Sequence, residues 1–269
     1  MKKMSDIDIK DNGSLQLDID SRREKILEIL GKKGRVKVNE LSRAFNISEV
    51  TIRLDLTELE NRGLIERIHG GAMSTHKAYY NMSLKEREKT NQEEKQKIAA
   101  MAASMIQDGD TVILNSGTTT LYTVRQLKNR KNVTLLTNSA AIAQEAGNGN
   151  NMNVILLGGN FNNNYSFSYG DDTLNQLMKY KADKLILSAD GVSCESGITT
   201  YHFQEAEIDK RMIERANKTI VAADYSKIGR ESFSFVSHIC AVDCIITNVN
   251  ANEEEINEIR SGGIEVRLV

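Results

Sequence analysis

Proline and tryptophan are both absent from the 269 residues, and only three cysteines occur. Without proline no turn is marked by a locked φ, so boundaries must be read from Gly, Asn and charge. The cysteines, Cys194, Cys240 and Cys244, are odd in number and form no CxxC pair. That argues against a disulfide framework and for a reducing cytosol. The stretch "HICAVDC" places His238, Cys240 and Cys244 close in sequence, but the ligand spacing of a structural zinc site is missing. Residues 240, 242 and 244 alternate as along a buried strand, so both cysteines are expected as packing residues with no metal bound. No apolar run approaches the roughly 18 residues a membrane helix needs. The first twenty residues lack the apolar segment of a secretory signal, and a flexible lead over residues 1–20 of a cytoplasmic protein is expected.

What remains is an ordinary globular composition, 40% hydrophobic and 27% charged, in a chain long enough for one small and one larger domain. The formal charge of −2 is unevenly spread. Residues 21–77 hold twelve Lys and Arg against eight Asp and Glu, a balance of +4, which leaves −6 for the rest. A basic module beside an acidic one suits nucleic-acid binding coupled to a second task, although a solvated surface with a chance excess would look the same.

The pattern of the basic segment decides between them. Ser21 can cap a helix striped by Ile26, Leu27, Ile29 and Leu30 and ending at Gly31. "RVKV" reads as a short strand, Asn39 as the cap of a second helix through Phe45, and "NIS" as a tight turn with Ser48 capping a third. On that third helix Ile52, Leu56 and Leu59 share the core face, while Val50, Leu54 and Thr57 point away, flanked by Arg53. "LIERIHGGA" after Gly63 reads as a β-hairpin turning at Gly70 and Gly71. Three helices and such a hairpin make a winged helix-turn-helix over residues 21–77.

Ser48, Thr51, Ile52, Arg53, Asp55, Leu56, Leu59, Gly63, Arg67, His69, Gly70, Gly71 and Ala72 fall at the spacings of the DNA-binding domain of DeoR-type bacterial transcription regulators, which this segment resembles. Leu54 departs from the resemblance, since a second Arg is usual there. Ser48 and Thr51 open the helix where backbone N–H groups also face outward, and Arg53 can fork onto guanine or clamp a phosphate. Arg67 and His69 on the wing would approach the adjacent backbone, with Arg22 and Arg23 adding nonspecific attraction. An outward Leu54 can touch a thymine methyl. Duller roles exist: Ser48 as a cap alone, His69 as a turn residue, and Asp55 as an internal salt-bridge partner, the reading preferred for it.

Residues 78–107 read as a charged linker passing into an amphipathic connecting helix. From residue 108 to 269, apolar runs such as "TVIL", "VTLLT", "NVILLGG", "DKLILSAD", "KTIVAAD", "CIITN" and "IEVRLV" alternate with helical patterns. This alternation predicts a doubly wound, mainly parallel α/β sheet, whose ligands gather at the carboxyl ends of the strands. "NSGTTT" there offers Asn115, Ser116, Gly117, Thr118 and Thr119 as a phosphate cradle at a helix N-terminus, or merely a capped turn. Asn138 and Ser139, Gly158 and Gly159, and Asp190 and Gly191 end later strands in the same manner. Lys227 could supply countercharge to a small anionic ligand. Asp190 and Glu205 could accept from sugar hydroxyls, or simply cap helices or pair with lysines.

The resemblance to DeoR-type regulators extends over roughly residues 21–269, through Ser116 to Thr119, Thr137 to Ser139, Leu157 to Gly159, Asp190 and Gly191, Glu205 and Ala206, and Ser226 and Lys227. It implies a sensor fold similar to ribose-5-phosphate isomerase, a phosphorylated sugar or polyol effector, and repression of metabolic genes relieved by that effector. Asn115 stands where Asp is common, Asn248 ends a motif that commonly ends in Asp, and Asp209 takes a usual Lys position. The expected partners are a double-stranded DNA operator, a small phosphorylated metabolite and further copies of the chain as a homodimer or homotetramer, with no cofactor and no membrane. The rival is a sugar-phosphate isomerase with Glu205 or Asp190 as base and Lys227 as stabiliser. A third reading is an oligomerising α/β domain with an empty site.

Overall fold

The computed structural model describes residues 19–33, 35–61, 64–68, 70–73, 82–148 and 152–269, without the side chains of residues 31–33, 35, 66 and 73. Residues 1–18 of the expected lead, Gly63, His69 and the boundary drawn at residues 77 and 78 lie outside them. The chain divides into two compact units, Met1–Tyr79 and Tyr80–Val269.

The first unit runs α1 (Ile19–Lys33), β1 (Arg35–Lys37), α2 (Val38–Phe45), α3 (Glu49–Asn61), β2 (Glu66–Ile68) and β3 (Gly71–Met73). Its core is Ile26, Leu30, Val36, Leu41, Ile52, Leu56 and Leu59, the expected stripes meeting face to face. Each such side chain contributes about 1.5–3 kcal/mol on leaving water. The strands form an antiparallel sheet in the order β1-β3-β2, with Val36 opposite Ala72 and Arg67 opposite Ala72 from the other side. A Cβ at Gly71 would lie 2.1 Å from the Val36 carbonyl oxygen, so only glycine lets β3 approach β1 this closely. The expected winged helix-turn-helix is thus present. Two caps differ: α1 begins at Ile19, ahead of Ser21, and continues past Gly31, while α2 begins at Val38, with Lys37 rather than Asn39 at its N-cap. Asn46, left-handed at φ +54°, turns the chain out of α2, and its neighbour Ile47 donates back to Ser42.

The second unit opens with α4 (Leu84–Lys89) and α5 (Gln92–Ser104), followed by β4 (Thr111–Leu114), α6 (Thr118–Gln126), β5 (Thr134–Thr137), α7 (Ala140–Gly147) and β6 (Asn153–Leu156). A hairpin, β7 (Asn160–Asn162) and β8 (Phe167–Tyr169), leads to α8 (Asp171–Leu177) and β9 (Ala182–Leu187). Then come β10 (Gly191–Ser193), β11 (Gly197–Thr200), α9 (Phe203–Glu214), β12 (Ala216–Ala222), β13 (Ser234–Ser237), β14 (Cys244–Thr247), α10 (Glu253–Ser261) and β15 (Glu265–Leu268). The main sheet has seven strands in the order β15-β14-β12-β9-β4-β5-β6, with every described pairing parallel.

Its strands feed two apolar layers by strict alternation. Ile113, Leu185, Leu187, Val221 and Ile245 face Ile208, Met212, Ile256 and Ile259 of α9 and α10. Val112, Leu114, Ile186, Ile220 and Ile246 face Ile98, Ala102, Leu121, Val124 and Ile142 of α5, α6 and α7. Helices on both faces of a parallel sheet are the doubly wound arrangement expected from the sequence.

The segment read as a charged linker passing into a connecting helix contains α4 and α5, and both group with the second unit. Ser83 and Glu86 form a reciprocal capping box at the start of α4, and Ile98, Ala99, Ala102 and Ala103 of α5 are buried. Cys240 is exposed in a short 3-10 turn, Ile239–Ala241, and only Cys244 packs in a strand, so the two do not share a buried face. Among the described residues no helix is long and apolar enough to cross a membrane.

Candidate functional site

On the first unit, α3 carries the outward surface. Ser48 Oγ accepts from the Thr51 backbone N–H at 3.1 Å, so Ser48 is the helix cap, and the two hydroxyls lie 2.9 Å apart. Val50 and Leu54 are 64% and 65% exposed, large apolar side chains left in water on one helix face. Arg53 is exposed beside them and reaches back to Glu49 at 2.8 Å, a solvent-facing pair that holds it only weakly. Arg67 of β2 donates to Thr57 Oγ1 at 2.9 Å and to the Arg53 carbonyl, so it also straps the wing to α3.

Arg22 and Arg23 carry a structural role beside the phosphate attraction expected of them. Arg22 Nε lies 2.6 Å from Asp55 Oδ2 and Arg23 Nε lies 3.0 Å from Oδ1, with the carboxylate almost wholly buried. Both guanidinium groups pair with this acid and so tie α1 to α3.

On the second unit, the carboxyl ends of β4 and β9, the hairpin β10–β11 and the start of α9 converge. Asp190 is the hub. Its Oδ1 is 2.7 Å from Arg87 Nη2 and 4.0 Å from Lys227 Nζ, while Oδ2 accepts from Thr200 Oγ1 at 3.2 Å and Tyr201 N at 3.1 Å. Burial disfavours the Asp190 charge, yet Arg87 and then Lys227 hold its pKa below the ordinary carboxylate value. Thr200 Oγ1 also lies 3.1 Å from Glu205 Oε2, its one proton shared between the two carboxylates, and Ser116 Oγ donates to Glu205 Oε1. Burial first, and then the neighbouring charge of Asp190, pushes the Glu205 pKa up to about 7.

Asn115 closes the floor. Its Oδ1 accepts from Ser188 N at 2.8 Å and its Nδ2 donates to Ser188 O at 3.0 Å, so the amide copies a peptide group between β4 and β9. Nδ2 also lies 3.1 Å from both oxygens of Asp209. A carboxylate at 115 could not donate to either partner, which gives the departures at 115 and 209 a common physical reason. The same holds at Asn248, whose Nδ2 donates to the Glu94 carbonyl at 3.3 Å while its Oδ1 accepts from Tyr225 N. Burial, then Glu205, raises the Asp209 pKa well above its ordinary value.

Of the expected sensor residues, Asn115, Ser116, Asp190, Glu205 and Lys227 therefore meet. Gly117 has a packing role: a Cβ there would lie 2.5 Å from Ser188 Cβ, so the glycine is required by the neighbouring strand end. Thr118 and Thr119 open α6, which has no side-chain cap at Gly117. Ser139 caps α7 by accepting from Ile142 N, and Asn138 Nδ2 donates to Ser168 O while its buried Oδ1 meets no hydrogen-bond partner among the described residues. Gly158 and Gly159 are exposed and held from α8, with Gln176 Oε1 accepting from Gly158 N and Thr173 Oγ1 donating to Gly158 O. Gly191 starts β10 opposite Thr199.

The residues missed from sequence are Arg87, Thr200 and an aromatic wall, and Asp209 was noted only as a departure from the sensor motif. Tyr165 lies 4.3 Å from His202, between ring centroids, and the Arg87 guanidinium sits 5.5 Å over the Tyr165 ring. Burial and then Arg87 lower the His202 pKa on balance, though Asp190 opposes them. Arg87 lies 103 residues from Asp190, a separation no local pattern could signal.

The comparisons with known proteins agree with both units. A family model described as "DeoR-like helix-turn-helix domain" matches residues 22–78, and one described as "DeoR C terminal sensor domain" matches residues 90–249. The chain is 34% identical to the HTH-type transcriptional regulator IolR of Bacillus subtilis, over 87% of this chain and 92% of that one. It is 33% identical to the HTH-type transcriptional repressor GlcR of the same organism, over 90% and 93%. Ribose 5-phosphate isomerase A of Methanocaldococcus jannaschii aligns with 51% of this chain and 54% of its own at 21% identity and a TM-score of 0.39. The isomerase reading of the sequence gives way, because the near full-length relatives are regulators rather than enzymes. The chain belongs to the DeoR family of transcriptional regulators, with that family's helix-turn-helix and sensor domains.

Proposed function

We propose that the protein represses genes of sugar or polyol metabolism and is released from its operator by a phosphorylated sugar bound at the Asp190 hub. The single observation that supports this best is the hub itself. Buried carboxylates, hydroxyls and two cations meet beside the uncapped start of α6, an arrangement suited to sugar hydroxyls and a phosphate together. Ser48, Thr51, Arg53, Leu54 and Arg67 form the DNA-reading face, and dimers or tetramers would set two such faces on half-sites a whole number of turns apart.

Transmission would run through α4 and α5. Arg87 reaches Asp190 from α4, Asn91 Nδ2 donates to Asp224 Oδ1 at 3.0 Å, and the Glu94 carbonyl accepts from Asn248. A ligand that takes over Asp190 competes with Arg87 and so acts on the first described helix after the wing. Coupling of about 1–3 kcal/mol is typical of such linkage.

The test begins with thermal shift of the full chain against phosphorylated sugars and polyols, since a ligand of the folded state raises Tm. Thr118→Ala combined with Lys227→Ala should keep operator binding and lose the response to the compound so found. A normal response in the double variant would remove the assignment of the site. On the DNA side, Leu54→Arg should steepen the fall of log affinity with log salt by about 0.9, one more phosphate neutralised, and shift base preference away from thymine. An unchanged slope with unchanged preference, measured by fluorescence anisotropy, would show that Leu54 does not face DNA.

A further inference from the structure

Two apolar side chains stand on the outward face of α3, where a polyanion is the expected neighbour. Val50 and Leu54 are one helical turn apart and 64% and 65% exposed, and so form a short ridge of methyl groups held in water. Neither belongs to the core of the first unit, which Ile52, Leu56 and Leu59 supply from the inward side of the helix. The third outward residue, Thr57, is otherwise engaged: its hydroxyl donates to the Arg53 carbonyl at 2.8 Å and accepts from Arg67. The row beside the ridge is charged, with Glu49 paired to Arg53 at 2.8 Å.

The ridge begins at the end of the helix that a helix-turn-helix presents to base edges, directly after the Ser48 cap. Aliphatic side chains cannot bond a phosphate and would strip water from its oxygens, so a ridge here is unsuited to gripping the backbone. In the major groove the base pairs display hydrogen-bonding groups and one kind of apolar group, the 5-methyl of thymine. Against that methyl, Val50 and Leu54 leave water without leaving a polar atom unpaired.

We propose that Val50 is a second base-reading residue and acts with Leu54 as one unit, the two side chains packing on two thymine methyl groups of the same half-site. This rests on the reading of α3 as the DNA-reading helix, and it extends that reading from one contact at Leu54 to a spaced pair. Residues four apart on a helix have Cβ atoms about 5–6 Å apart, and successive bases of a strand rise about 3.4 Å. The two thymines therefore stand within about two base pairs of each other, on the same strand or on opposite strands. Arg53, next to the ridge, is left to a phosphate or a guanine edge once it gives up Glu49.

The experiment starts by selecting tightly bound duplexes for the full chain from a random pool. In the selected site each thymine is replaced, one at a time, by deoxyuridine, which pairs identically and lacks only the methyl group. Affinity is then measured by fluorescence anisotropy at fixed salt. Two thymines within about two base pairs should each cost about fourfold on losing the methyl, the worth of one such group leaving water. Val50→Ala should abolish the methyl effect at one of them and Leu54→Ala at the other, each leaving its neighbour's effect in place. Deoxyuridine without effect at every position overturns the proposal, and so does an effect at a lone thymine or one that both alanine variants leave unchanged. A loss of affinity in the variants that is equal on thymine and deoxyuridine sites assigns the ridge to contact with another copy of the chain and overturns it too. If the pool yields no duplex bound above background, the DNA-reading role of α3 fails, and this inference with it. Both side chains are exposed, so neither variant should move the melting temperature of the first unit, and the deoxyuridine series on the wild type decides the question should one fail to fold.

Discussion

Asp55→Ala is expected to destabilise the DNA-binding unit by about 3–5 kcal/mol, the usual consequence of removing one partner from a buried ion pair. The carboxylate is almost wholly buried and accepts from two guanidinium groups, Arg22 at 2.6 Å and Arg23 at 3.0 Å. Alanine removes the buried acceptor that both cations share at a largely dry helix junction. For a small unit, whose total stability is of order 5–15 kcal/mol, that is a large share. Calorimetry should then show the transition of the first unit moved to lower temperature, the sensor transition unmoved, and operator binding lost at growth temperature. Arg23→Ala discriminates the two roles considered for that residue. If it stabilises α1 on α3, the variant melts earlier and keeps its salt slope. If it touches phosphate, the slope becomes shallower while the melting temperature stays.

A second large effect is expected at Glu205, and it depends on pH. Burial first, and then Asp190, pushes the Glu205 pKa up to about 7 from the ordinary 4.5. Below pH 4.5 the group is neutral in folded and unfolded chains alike and contributes no pH dependence. Between 4.5 and about 7 the unfolded chain ionises first, so the folded state loses stability as pH rises, and above that window the loss is complete. At roughly 1.4 kcal/mol per pKa unit the full loss is about 3 kcal/mol as an order of magnitude. Glu205→Gln keeps an acceptor for Ser116 and removes the titration. It should therefore melt above the wild type at pH 8 and converge with it near pH 4.5. Asp190 stays ionised throughout this window because its pKa is lowered, whereas Asp209 is shifted upward and reinforces the trend. A variant that melts below the wild type at pH 8 would show the Glu205 carboxylate to be welcome in its charged form.

The parts of the fold that could be read from sequence are those set by short-range periodicity. The apolar runs ending at Leu114, Thr137, Leu187, Ala222 and Thr247 are all strands of the parallel sheet, since residues alternating between two buried faces leave near-continuous hydrophobic stretches. Ser48 was legible as a cap because its partner is three residues away. The hairpins β7–β8 and β10–β11 were not legible. Their strands are three or four residues long and rich in Asn, Ser, Gly and Thr, which carry little hydrophobic signal.

At the site the limit is sequence distance. Asp190 and Glu205 were candidates because they follow a strand and open a helix. Arg87 and Asn115 meet their partners across 103 and 94 residues, through the tertiary fold alone. The pairing of Arg22 and Arg23 with one buried acid, 33 and 32 residues away, was out of sight for the same reason.

Lys95 shapes how the protein can respond. Its side chain is 1% exposed, and its ammonium donates at 2.7 Å to the carbonyls of Arg87 and Thr90, where α4 ends and turns toward α5. If the last turn of α4 unwound, the buried ammonium would lose both of these carbonyl acceptors. Fraying of that turn is therefore costly, and α4 is expected to move as a whole rather than to unwind.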